Sequence, residues 1–289
     1  MDTNPRRRIL VPLDGSPLSE AAVEAAMPLA KAMGAGLSLL RVTPAGQEIG
    51  GVDKVYMTLM GDGLAEKGLD VSVHFRLGEP AEEILGFTEV ADIDLIAMSS
   101  HGRTGLTRLL MGSVAEKVVR RADVPVLVWH PGAKAAATIR RIAVALDGSE
   151  ISEEMLPEAV MLARALGATL DVVRVGIPIV TAGGMGEIPL IFANEDPMPY
   201  LKTVVERLAK EGVEATPVAM EGRAASELLR HATERGVDLI CMTSHGRTGL
   251  SRVLLGSIAE EVLRNAPCPI LIRRMGATGK LLRPQPLRV

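Results

Sequence analysis

Ser99-Ser100-His101-Gly102-Arg103-Thr104-Gly105-Leu106-Thr107-Arg108-Leu109-Leu110-Met111-Gly112-Ser113 is the stretch around which the 289-residue chain is organised. The apolar run Asp94-Leu95-Ile96-Ala97-Met98 before it reads as a buried strand, and Val114 to Arg121 after it reads as a helix. A strand-to-helix connection with glycines at both ends lets backbone N–H groups come close to an anion, and the helix N-terminus adds a favourable dipole. The stretch returns at Thr243 to Ser257. Residues 99–128 and 243–272 share 18 identities in 30 positions, so one structural unit occurs twice.

Working outward, Arg8 to Leu13 is a short apolar run closed by Asp14-Gly15-Ser16. Pro17 fits the first turn of a helix with Ser16 as its N-cap, and Leu18 to Met33 has helical spacing. Leu37 to Val42 reads as a strand and Val52 to Lys67 as a helix whose pattern Gly61 and Gly63 interrupt. Val71 to Phe75 alternates as a strand, Gly78-Glu79-Pro80 opens a helix over Ala81 to Val90, and Val124 to Trp129 is the final strand of the unit. Strands alternating with helices predict a parallel sheet covered on both faces. The fold class expected is therefore α/β, with two tandem doubly wound, Rossmann-like domains, each a five-stranded parallel sheet of order 3-2-1-4-5.

Pro131 to Thr138 reads as a linker, after which the order repeats. Arg141 to Ser149 matches Arg8 to Ser16, Leu170 to Val175 matches Leu37 to Val42, and Gly222 matches Gly78. The offset is 133 residues at Asp14/Asp147 and 144 at Gly102/Gly246, so 11 extra residues fall between Val175 and Gly222. They fit the long connection Gly176 to Pro199, a length more often functional or mobile than ordinary. The expected boundaries are a first domain over 1–131, a linker over 132–139, a second domain over 140–275 and a basic tail over 276–289.

Composition narrows the function. Hydrophobic residues make up 47% of the chain and supply a substantial core, while aromatics are only 2%. Few base-stacking platforms are available, and a net charge of −3 gives no general pull toward DNA or RNA. No run approaches a membrane-spanning length, and the N-terminus lacks a long apolar leader, so a soluble cytoplasmic protein is expected. Cys241 lies in an apolar run and Cys268 between two prolines, which favours buried reduced thiols over a disulfide.

In a doubly wound sheet, ligands bind outside the C-terminal ends of the strands, where strand order reverses. The first strand ends at Asp14, the second at Val42 and the fourth at Ser99. If these strands are neighbours, one crevice receives an acidic group for ribose hydroxyls or a metal, backbone groups beside Val42 for an adenine edge, and amides around Gly102 and Gly112 for phosphates. Each feature also has a structural reading. Ser113-Val114-Ala115-Glu116 and Ser257-Ile258-Ala259-Glu260 are capping boxes, and Asp14-Gly15 can be a turn before a capped helix. His101 and His245 at turns read as structural rather than catalytic, and no carboxylate or Ser/His spacing marks a catalytic dyad. Arg103 and Arg108 suit either phosphate or solvent. The fingerprints Gly-x4-Gly-Lys-Ser/Thr and Gly-x-Gly-x-x-Gly are missing, which argues against a P-loop ATPase or a Rossmann dehydrogenase.

Gly102, nine residues, then Gly112-Ser113, together with Asp14 after the first strand, resembles the universal stress protein family over both halves of the chain. The nucleotide-binding branch of that family carries Gly-x2-Gly-x9-Gly-Ser/Thr; here Ser99 and Thr243 stand where its first glycine would be. The resemblance implies ATP contacts from Asp14, Val42, Gly102, Gly112 and Ser113, and from Asp147, Val175, Gly246, Gly256 and Ser257 in the second copy. Arg103, Gly105 and Val114, with Arg247, Gly249 and Ile258 as counterparts, complete the expected loop. Pro12, beside the adenine pocket in the family, is matched by Ala145. The resemblance further implies an ATP-binding stress-response regulator, with Mg²⁺ as a candidate companion of ATP; the alternatives are a slow ATPase and an interaction scaffold that binds no nucleotide. The partners expected are an adenine nucleotide, with neither nucleic acid nor membrane.

The two final strands, Val124 to Trp129 and Pro269 to Arg273, are apolar, and an open apolar edge invites aggregation. Pairing them antiparallel satisfies both edges and gives a pseudo-twofold dimer inside one chain, with Trp129 shielded at the junction. The residues leave association of two chains into a homodimer open.

Overall fold

Strands buried on both faces divide the molecule into a central sheet and two helical layers, and a computed structural model describes this for residues 7–102, 111–134, 136–176, 196–245, 255–274 and 276–277. The first half runs β1 (Arg8–Pro12), α1 (Pro17–Met33), β2 (Gly36–Thr43), α2 (Gly51–Ala65), β3 (Val71–Leu77), α3 (Pro80–Val90), β4 (Leu95–Ser99), α4 (Ser113–Arg121) and β5 (Val126–Trp129). The second half runs β6 (Arg141–Ala145), α5 (Glu150–Glu153), α6 (Leu156–Leu166), β7 (Thr169–Gly176), α7 (Pro197–Lys210), β8 (Ala215–Glu221), α8 (Ala224–Glu234), β9 (Leu239–Thr243), α9 (Ser257–Asn265) and β10 (Ile270–Arg273).

Local chemistry sets the boundaries. Ser16 is extended and its hydroxyl accepts from Ser19 N at 3.2 Å, with Pro17 opening α1. Gly34 ends α1 in the left-handed conformation at φ 60°, freely open to glycine. Ser149 repeats the first cap, its hydroxyl accepting from Ser152 N at 3.2 Å. The second copy then departs: α5 and α6 replace one long helix, because Pro157 has no N–H to give back to the carbonyl one turn earlier.

The strands form one sheet of order β3-β2-β1-β4-β5-β10-β9-β6-β7-β8. All pairs within each half are parallel, in the expected 3-2-1-4-5 order. Ile9, Val11, Leu37, Leu39, Leu95 and Ala97 point to one face, covered by α1, α2, α6 and α7. Leu10, Leu40, Ile96 and Met98 point to the other, covered by α3, α4, α8 and α9. Cys241 and Cys268 are buried free thiols, and burial pushes both thiol pKa values up, Cys268 to about 12.

At the centre, β5 and β10 pair antiparallel, with Val126, Leu127 and Val128 opposite Ile272, Leu271 and Ile270. Trp129 closes β5 half-buried, its indole N–H donating to Ala133 O at 3.2 Å, so the shielding expected of it is partial. The residue that matches Trp129 in the second copy is Arg273, and Glu158 stands where the first copy has Ala25. These two charges form an ion pair with Glu158 0% and Arg273 6% exposed at the side chain. Burial raises the Glu158 carboxyl pKa, and the Arg273 guanidinium opposes that rise.

Removing one partner of such a pair strands a buried charge, at a cost of about 3–5 kcal/mol. Arg273→Met should therefore lower the urea midpoint sharply, and adding Glu158→Leu should recover most of the loss. A double variant no more stable than the single one would show that the pair is not an electrostatic unit.

Candidate functional site

β1 lies between β2 and β4, so the chain leaves it toward both sides and opens a crevice at the strand C-termini. The crevice holds about 340 Å³, within the range of small-molecule sites. Its wall is apolar along Leu40, Val42, Ile84 and Met98 and polar along Asp14, Ser99, Ser100, Gly102, Gly112 and Ser113, with Pro12 and Val114 at its margins. Five of the residues expected to cooperate, Asp14, Val42, Gly102, Gly112 and Ser113, thus meet around one space, and Val114 joins them. Arg103, Gly105, Gly246, Arg247 and Gly249 lie outside the described residues.

Asp14 serves two purposes. Its Oδ1 accepts from Ser16 N at 2.9 Å and from Ser16 Oγ at 2.6 Å, which fastens the turn before α1. Its Oδ2 lies directly against Gly102, and a Cβ on Gly102 would stand 2.7 Å from that oxygen. Glycine is needed at 102 for this close approach. Gly112 N donates to Ser100 O at 2.8 Å, tying the far end of the loop back to β4.

The capping-box expectation for Ser113 and Ser257 is corrected. Gly112 and Gly256 are the extended N-cap residues, and Ser113 and Ser257 already lie in the first helical turn. The glycines take the extended cap backbone (ψ 144°) without a side chain, and a Cβ there would crowd Ser100 O at 3.3 Å and Ser244 O at 3.0 Å. The Ser113 hydroxyl is left on the crevice wall rather than spent on the helix end.

His101 behaves as the turn residue expected. Its Nδ1 is 2.9 Å from Ser100 Oγ, and its backbone N donates to Ser99 Oγ at 3.2 Å. Ser100 is only 1% exposed, so this Ser–His contact fastens the turn at the base of the crevice. The His101 ring meets His130 edge-on at 5.8 Å, and burial, then the neighbouring His101, lowers the His130 pKa.

The second copy repeats the frame. Asp147 Oδ1 accepts from Ser149 N at 2.9 Å and from its Oγ at 2.6 Å, and Gly256 N donates to Ser244 O at 3.0 Å. Ser244 Oγ is 3.1 Å from His245 Nδ1. Val175, next to last in β7, is half-buried, while Ile258 stands 47% exposed on α9. Sequence reasoning did not name Leu40, Met98, Pro80 and Ile84 among the lining residues. Their only signal is topological: α3 must cover the face of β2 and β4 that carries Leu40 and Met98.

Burial lowers the pKa of His74, His130 and His245 below the ordinary 6.5. The unfolded chain then binds protons that the folded one refuses, so stability is full above about pH 6.5 and falls as pH drops through and below that value. His130→Asn should flatten this decline in denaturation midpoints measured between neutral and mildly acid pH. An unchanged slope would count against His130 as a contributor.

The comparisons agree with this geometry. The family model described as "Universal stress protein family" matches residues 5–130 and again 138–274. The Bacillus subtilis universal stress protein YxiE is 35% identical over 145 residues, 46% of this chain and 98% of its own length. A universal stress protein of Mycolicibacterium smegmatis is 28% identical over 296 residues, covering 92% of this chain and 96% of its own. A solved universal stress protein from Archaeoglobus fulgidus superposes with a TM-score of 0.73 at 23% identity, covering 94% of this chain and all of its own. With the doubled glycine loop, the sheet order and both family matches in agreement, the chain belongs to the universal stress protein family as a two-domain member.

Proposed function

We propose that this protein is a stress-response regulator that binds ATP in the crevice of each half and changes its conformation or partner choice with the nucleotide. The observation that carries this reading is the division of the crevice. Leu40, Val42, Ile84 and Met98 give the crevice an apolar part suited to a purine ring, and Asp14, Gly102, Gly112 and Ser113 line the same space with polar groups. Ribose hydroxyls suit the carboxylate, and backbone N–H groups at the start of α4 suit phosphate oxygens. The absence of Cβ at Gly102 and Gly112 lets the Asp14 carboxylate and the Ser100 carbonyl pack against these two residues, which frames the place proposed for the phosphates. Binding of this kind needs no nucleophile or general base. Any Mg²⁺ would accompany the nucleotide on its phosphate oxygens.

Mass spectrometry of small molecules released from the purified protein should find an adenine nucleotide. Calorimetric titration of emptied protein with ATP should give two sites, and Gly102→Val should eliminate the first while leaving the second. Asp14→Ala should weaken the first site roughly tenfold, the loss of one charge-assisted hydrogen bond. Wild-type affinity in Gly102→Val would overturn the assignment of this crevice.

A further inference from the structure

Among the described residues, β3 and β8 are the two outer strands of the ten-stranded sheet. Which of their backbone groups face outward follows from printed bonds. Asp70 O accepts from Leu37 N at 2.8 Å, and Gly78 N donates to Thr43 O at 3.0 Å. The N–H and C=O of one strand residue share a direction, and the direction alternates along the strand. The residues at 70, 72, 74, 76 and 78 therefore turn their backbones toward β2, and Val71, Val73 and Phe75 turn theirs away from the sheet. In β8, Glu214 O accepts from Leu170 N at 2.9 Å and Gly222 N donates to Gly176 O at 3.0 Å, so Ala215, Pro217 and Ala219 face outward.

The middle outward position is thus Pro217 in one edge and Val73 in the other, at matching places in the repeat. Proline there removes a donor and puts a ring where a further strand would lie, a common protection of an exposed edge. β3 has no such protection.

We propose that β3 is the docking edge for a second copy of this chain, paired antiparallel with Val73 opposite its own counterpart. This register lets Val71, Val73 and Phe75 exchange backbone hydrogen bonds with Phe75, Val73 and Val71 of the other copy. It also sets Asp70 opposite Arg76 and Ser72 opposite His74, each pair occurring twice by symmetry. Asp70 and Arg76 are both exposed, Asp70 beside Arg8 at 3.1 Å and Arg76 over the Phe87 ring at 5.5 Å. Val71 against Phe75 adds a β-branched–aromatic cross-strand pair. Sliding the register by two residues one way puts His74 against His74 and Arg76 against Ser72, and sliding it the other way puts Asp70 against His74 and Arg76 against Gly68, so the Asp70–Arg76 pairs are lost in both. An edge that pairs its carboxylate with its own guanidinium when Val73 lies on the twofold axis fits a second copy better than an unrelated extended peptide. This inference is independent of nucleotide binding.

Sedimentation equilibrium of the full chain over a concentration series tests it. The wild type should show a reversible monomer–dimer equilibrium that weakens with added salt. Val73→Pro breaks no bond within the sheet, since that N–H faces outward, and should raise the dimer dissociation constant at least about tenfold. Arg76→Asp and Asp70→Arg should each weaken the dimer several-fold, and the two together should restore it, with circular dichroism reporting the fold of each variant. A chain that stays monomeric throughout, a dimer indifferent to Val73→Pro, or a charge exchange that fails to restore association would each overturn the proposal.

Discussion

Backbone hydrogen bonding between β5 and β10 is the constraint on which the rest depends. Each half ends its sheet with a strand that is apolar on both faces, and neither can leave that edge in water without exposing unpaired N–H and C=O groups. Antiparallel pairing answers both demands at once. Leu127 and Leu271 meet on one face and the valines and isoleucines beside them on the other, so the core runs unbroken through the junction. One sheet of ten strands results, and α1 of the first half packs against α6 of the second.

The two halves then diverge where burial is greatest. The first copy fills its junction with Ala25 and Trp129, the second with Glu158 and Arg273. At the opposite end of the strands, the second copy buries Asp171 between Arg141 at 3.0 Å and His231 at 2.8 Å. The matching place in the first copy holds Ser38 and Phe87, with Ser38 Oγ 3.2 Å from Ser72 Oγ. Charge is tolerated in these interiors because each ion has a partner of opposite sign. The crevice frame changes far less: Asp14 and Asp147 make the same two hydrogen bonds to the following serine, at the same 2.9 and 2.6 Å. The turn after the first strand thus keeps its geometry in both copies while the interior around it changes.

Much of this was written in the chain itself. Short apolar runs and a period of 3.6 placed the strands and helices, Ser16-Pro17 marked the start of α1, and the repeat of the glycine stretch showed that one unit occurs twice. Those signals are local, so a linear reading captures them. The spacing of Asp14, Val42 and Gly102 pointed to a shared crevice only on the condition that their strands are neighbours.

Tertiary structure decided what depends on contacts between distant segments. Strand order turned that condition into fact and added Leu40, Ile84 and Met98, whose role at the crevice comes from α3 lying over β2 and β4. The cap moved from Ser113 to Gly112, because the choice rests on how closely the loop approaches Ser100 O, and no serine-to-glutamate spacing records that distance. Glu158 and Arg273 are 115 residues apart, and nothing local marks either as buried. The direction of each edge N–H, and with it the contrast between Val73 and Pro217, appears only once the register with β2 and β7 is known. Sequence by itself determined the elements and the repeat through short-range preferences. The fold alone decided which surfaces close upon one another, because burial is a property of the assembled chain.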